Sequence, residues 1–71
     1  MRAMLLDEIE RALGELPREQ REVFIAHELE GVSFRELVRR TGVPLSTLLS
    51  RKHYAVRFLR ERLQTIWDEW T

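Results

Sequence analysis

Between positions 46 and 57 the sequence STLLSRKHYAVR sets hydroxyls, an imidazole, a phenol and a guanidinium at helical spacing. At 100° per residue, Ser46, Ser50, His53, Tyr54 and Arg57 share one face of a helix. Each of these groups donates or accepts hydrogen bonds of the kind made to base edges and phosphates. The chemistry this face offers is therefore recognition, and nothing else in the chain completes a reaction centre. No histidine is paired with a carboxylate beside a nucleophile, and there is neither a phosphate-cradling glycine loop nor a metal-ligand cluster. The chain has no cysteine, so there is no disulfide framework and no thiolate metal site, and the isolated His27 and His53 cannot build a zinc site unaided. No enzyme activity, cofactor or metal is expected.

The charge balance sharpens this reading. The formal net charge of the 71 residues is zero. Residues 1–30 nevertheless carry four basic and eight acidic side chains, and residues 31–71 carry eight basic and four acidic. An uneven distribution of this kind points to an anionic partner for the basic half, although the solvated face of a small helical protein produces it too. The longest apolar runs, Met4–Leu6 and Val23–Ala26, fall far short of the roughly 20 residues that span a bilayer, and no secretory signal precedes them. A soluble, cytoplasmic protein with no membrane partner is the expectation.

The elements that must position the 46–57 face follow from apolar period and punctuation. Leu5, Ile9, Ala12, Leu13 and Leu16 mark an amphipathic helix from about 3 to 14, which the segment Gly14 to Pro17 ends. Pro17 suits the first turn of a second helix, with Glu19 and Glu22 complementing its positive end. The stripe Val23, Phe24, Ala26 and His27 carries that helix to about Leu29, where Gly31 stops it. Ser33 and Glu36 form a capping box for a short third helix from 34 to about 41. Gly42 supplies a tight turn, and Pro44 opens a fourth helix with no internal breaker. That last helix sets Leu45, Leu48, Leu49, Ala55, Val56, Leu59, Leu63, Ile66 and Trp70 on one broad apolar face. His27 reads as a partly buried helix residue, and Trp67 and Trp70 as a cover for the first helix.

The fold class is therefore all-α: a single small four-helix domain over residues 1–71, with a C-terminal extension of its last helix at 61–71. Two helical turns, a Gly-centred turn and a longer helix, supported by Leu37, Val43 and Leu48, make a helix-turn-helix over about 34–60, whose second helix enters the major groove. A plain four-helix bundle with a short third helix shares the same spacing.

The segment LGELPREQREVFIAHELEGVSFRELVRRTGVPLSTLLSRKHYA adds a family resemblance. A Leu-Pro followed by REVF (Leu16, Pro17, Arg21 to Phe24), ELEGVSF (Glu28 to Phe34), GVP-x-x-T (Gly42 to Thr47) and SR-x-H-x-A (Ser50 to Ala55) occur in order. Together they cover residues 12–63, and the chain resembles region four, the C-terminal domain, of extracytoplasmic-function sigma factors of bacterial RNA polymerase. The resemblance implies a domain that docks on the flap of the polymerase β subunit, reads the minus-35 promoter element with its last helix, and presents a surface an anti-sigma factor masks. Carried over, the DNA-facing residues are Ser46, Thr47, Leu49, Ser50, His53, Tyr54 and Arg57, with Arg51 as a phosphate contact or a partner of Glu36. Leu49, Tyr54 and Val56 stand where the family commonly has cations, so binding is expected to be weakened. Lys52 falls on the core face, where its stem can lie along apolar surface while the charge reaches outward. Arg40 and Thr41 replace apolar residues late in the third helix.

Two functions compete. One is a sigma region-four module for promoter DNA and polymerase. With no counterpart of the segment that melts the minus-10 element, it is expected to be a fragment of a sigma factor or a free-standing module, monomeric or weakly dimeric. The other is a protein-interaction domain of the same fold, engaging polymerase, an anti-sigma factor or itself through Leu49, Tyr54, Val56 and Phe58.

Overall fold

Pro17, at φ −54° and ψ 146°, cannot continue a helix from the residues before it, and a helix lies on either side. In the computed structural model these are α1, Arg2–Glu15, and α2, Arg18–Phe24. The structure describes residues 2–70, with side chains described from Asp7 to Thr65 and at Asp68. The expected single helix to Leu29 is in fact two segments, because α2 passes into a π-helical turn at Ile25–Leu29. There the Glu30 N–H donates to the Ile25 carbonyl at 3.0 Å, an i to i+5 bond. Side chains anchor the wider turn. The His27 Nδ1–H donates to the Val32 carbonyl at 2.9 Å, and the imidazole stacks on Phe34 at 4.1 Å between centroids. Gly31, at φ 72°, then reverses the chain in a conformation that only glycine adopts at low cost.

Ser33 caps α3, Phe34–Thr41, by accepting the Glu36 N–H at 3.1 Å. The expected reciprocal half of the capping box is replaced. The Glu36 carboxylate accepts from Arg39 Nε at 2.8 Å and from Arg40 Nε at 3.1 Å, two guanidiniums being stronger donors than a neutral amide. Glu36 is thereby engaged by its own helix rather than by Arg51. At Gly42, φ 71°, the N–H returns to the Val38 carbonyl at 2.8 Å. Thr41 stitches the same turn, since its hydroxyl donates to the Leu37 carbonyl at 2.7 Å and accepts the Val43 N–H at 3.1 Å. The Pro44 carbonyl then accepts the first amides of α4, Leu45–Trp70, from Thr47 and Leu48.

The long α4 is the spine against which the other helices pack. Ala12 of α1 and Leu16 in the link after it meet Ala55 and Leu59, with Leu13, Phe24 and Phe58 around them. Val23 and Leu37 meet Leu48, with Ala26, Val32, Phe34, Val38 and Val43 around them. The buried stripe of α4 is thus narrower than the broad face read from sequence. Leu45 and Leu49 leave the core and stand 49% and 46% exposed. The expected places of Leu5, Ile66, Trp67 and Trp70 lie outside the described side chains. Arg62 ties the two long helices together by pairing with Glu15 and, at 3.8 Å, with Glu8. Among the described residues no helix is long and apolar enough to cross a membrane.

Candidate nucleic-acid interface

The first turns of α4 emerge from the stitched Thr41–Gly42 turn, so the orientation of their side chains is set by α3 and the packing of Leu48 between Val23 and Leu37. Leu48, Ala55 and Leu59 point inward and the opposite side faces solvent. Ser46, Leu49, Ser50, His53, Tyr54 and Arg57 are exposed, whereas Thr47 and Arg51 are half-buried. At 3.6 residues per turn these eight residues cover an arc of about 200°. Ser46, Ser50, His53 and Arg57 form its middle, Leu49 flanks one side, and Tyr54, Thr47 and Arg51 flank the other.

Within the arc His53 meets Tyr54 edge-on, with ring centroids 5.9 Å apart and the planes at 66°. Among the described residues Arg57 pairs with Glu61, one turn on, at 3.6 Å with both side chains more than two-thirds exposed. Exposed i,i+4 pairs contribute only about 0.3–0.5 kcal/mol, so an arriving phosphate can displace Glu61 easily. A shallow groove lined by His53, Val56, Arg57 and Arg60 continues the face toward the C-terminus. Arg60 is exposed and was not among the residues singled out from sequence. Its signal was present in the spacing, three residues beyond Arg57 and seven beyond His53.

Lys52 occupies the inner edge of α4, as expected for a long side chain carrying its charge out along an apolar stem. It is 19% exposed, pairs with Glu28 of the π turn, and its ammonium lies 5.5 Å from the centroid of Phe34. The hydrogen bond from Lys52 and its positive charge hold the Glu28 carboxyl below the usual carboxylate range. Hydrogen bonds from Arg39 and Arg40 do the same for Glu36. Residues 45–60 contain four cations and no carboxylate, and with Lys52 turned inward the outer face keeps Arg51, Arg57 and Arg60. The surface of α1 and α2 is the electrostatic opposite, exposing Asp7, Glu10, Glu15, Glu19 and Glu22. Among the described residues no three of His, Cys, Asp and Glu gather where they could hold a metal ion.

An outer helix face that is cationic, rich in hydrogen-bonding groups and mounted on a helix-turn-helix has the chemistry to meet a polyanion. The family model described as "Sigma-70, region 4" matches residues 6–59. No curated protein matches the chain.

Proposed function

Because the chain belongs to the sigma-70 region 4 family, whose domains bind the minus-35 promoter element and RNA polymerase, we propose that the outer face of α4 is its promoter-reading surface. The carrying observation is that exposed face itself, with Ser46, Ser50, His53 and Arg57 aligned and no carboxylate from 45 to 60. On this reading Thr47 and Arg51 flank the reading strip, Tyr54 lines its edge, and Arg60 adds a phosphate contact. The resemblance to the extracytoplasmic-function branch supports a cytoplasmic module docking on the β-subunit flap and open to an anti-sigma factor. The acidic surface of α1 and α2 faces away from phosphate and toward protein partners. Three positions where that branch commonly has cations hold Leu49, Tyr54 and Val56, so isolated affinity is weak and polymerase holds the domain in place.

The competing protein-interaction reading relied on Leu49, Tyr54, Val56 and Phe58. Phe58 packs against the Ala12–Leu59 cluster and Val56 is half-buried, which leaves two exposed members, on opposite flanks of the polar strip. That observation favours DNA.

Titration of the labelled chain with duplex DNA at low salt is expected to move the amide resonances of 46–57 and to leave 7–25 in place. Arg57→Ala is expected to abolish the binding of the parent chain. Shifts confined to 7–25 would reverse the polarity of the domain and overturn the proposal.

A further inference from the structure

Among the described residues, two leucines on the first turns of α4 belong to neither core cluster. Leu45 and Leu49 are four residues apart, so they sit one above the other on the helix surface, about 5–6 Å between Cβ atoms. They are 49% and 46% exposed, while Leu48 between them is 1% exposed and supplies the core contact. The pair forms an apolar strip beside Ser46 and His53, on the N-terminal part of the helix, the part of a recognition helix that meets base edges.

We propose that Leu45 and Leu49 read thymine by contact with its C5-methyl group in the major groove, an inference that rests on α4 being the DNA-reading helix. The major-groove edge of each base pair offers one apolar feature, the methyl of thymine, and apolar side chains recognise it. The leucine spacing of about 5–6 Å spans one to two base-pair steps of about 3.4 Å, so the pair meets thymines at neighbouring steps. Charge selects this occupant over an apolar protein surface. The strip belongs to a stretch, 45–60, with four cations and no carboxylate, so a partner covering it brings negative charge to Arg57 and Arg60 on the same side of the helix. Duplex DNA presents apolar methyls and phosphates together. Loss of a cation at position 49 then exchanges a sequence-blind phosphate contact for a sequence-dependent one: total affinity falls and discrimination between thymine and the other bases rises.

The test removes single methyl groups from the DNA and leaves the protein unchanged. The 71-residue chain is first used to select its preferred sequence from a fluorescein-labelled duplex library with a randomised core at low salt. The selected duplex is then resynthesised with deoxyuridine replacing thymidine one position at a time. At one or two positions uracil is expected to weaken binding about fourfold, the equivalent of about 0.8 kcal/mol for one buried methyl. Leu49→Ala, at an exposed site, is expected to weaken binding to the thymine duplex and to become indifferent to uracil at the position it reads. If every uracil duplex binds the parent chain as tightly as the thymine duplex, methyl reading is overturned while the DNA-binding role of α4 stands. Sensitivity to uracil that Leu45→Ala and Leu49→Ala both retain also overturns it, by assigning the methyl contact to other residues. Failure of every duplex to bind, even at low salt, removes the DNA-reading role and the methyl reading with it.

Discussion

At the scale of single residues the proposed recognition face differs from the commonly cationic pattern at three positions. A cation at position 49 or 54 would reach phosphate, whereas Leu49 and Tyr54 offer apolar and phenolic surface, and both stand free of the core. Each phosphate-neutralising cation changes the slope of log affinity against log salt by about 0.9 on duplex DNA. The double replacement Leu49→Lys with Tyr54→Arg is therefore expected to tighten duplex binding at low salt and to steepen the slope by about 1.8, as read by fluorescence anisotropy across a salt series. Unchanged affinity at low salt would mean that another face of the molecule meets DNA. Val56 is the third departure from the commonly cationic pattern, but it is half-buried beside the groove shared with Arg57 and Arg60, so the same gain is not expected there.

At the scale of elements, the turn between α3 and α4 sets the angle at which the recognition helix is presented. Gly42 holds φ 71° and no atom lies within 4 Å of where a Cβ would be, so an alanine there meets backbone strain and no steric clash. Gly14, inside α1, has equally open surroundings without the positive φ. The two substitutions separate conformation from space. Gly42→Ala is expected to destabilise the domain by about 1–2 kcal/mol, while Gly14→Ala stabilises it by about 0.5–1 kcal/mol. In a domain of this size that is a shift in melting temperature of about 4–8 °C per kcal/mol, readable by circular dichroism. Equal effects at the two sites would show that the left-handed geometry at Gly42 is not required. The π turn is the second junction that positions the motif. It brings Glu28 within reach of Lys52 and His27 onto Phe34, linking the end of α2 to both helices of the helix-turn-helix.

At the scale of the whole molecule, two small clusters on one long spine support the domain, and surface ion pairs within and between elements add to them. The Glu28 and Glu36 carboxyls are both held below the usual range, the first by Lys52 and the second by Arg39 and Arg40. Their pKa values are lower in the folded chain than in the unfolded one, so at low pH the unfolded chain binds more protons. The stability these pairs contribute is complete above the ordinary glutamate value of about 4.3 and is lost as pH falls through the folded values. Thermal unfolding is accordingly expected at lower temperature at pH 3 than at pH 6. Lys52→Met, which keeps a long unbranched side chain and removes the charge, is expected to reduce the difference between the two. A melting temperature that does not change between these pH values would show that the carboxylate pairs carry no net stability.

Local patterns settled by sequence alone were those whose cause is local. Pro17, Gly31, Ser33, Gly42 and Pro44 restrict or cap the backbone wherever they stand, so the helical class and the breaks between helices were legible from residue types, as was the exposure of Ser46, Ser50, His53 and Arg57. Tertiary structure decided what depends on partners distant in the chain. A wheel assigns Leu45 and Leu49 to the apolar side of α4, but burial requires a neighbouring helix to cover them, and the buried side chains of α1 to α3 reach only the stripe of Leu48, Ala55 and Leu59. The π turn at 25–29 was hidden for the same reason, since it is accompanied by contacts of His27 with Val32 and Phe34 and of Glu28 with Lys52 that helical periodicity does not encode. Thr41 looked like a misplaced polar residue in a helical stripe, and only the folded turn reveals its hydroxyl joining Leu37 to Val43. Side-chain periodicity says which residues share a face, and packing against the rest of the chain decides which of those faces is left to meet a partner.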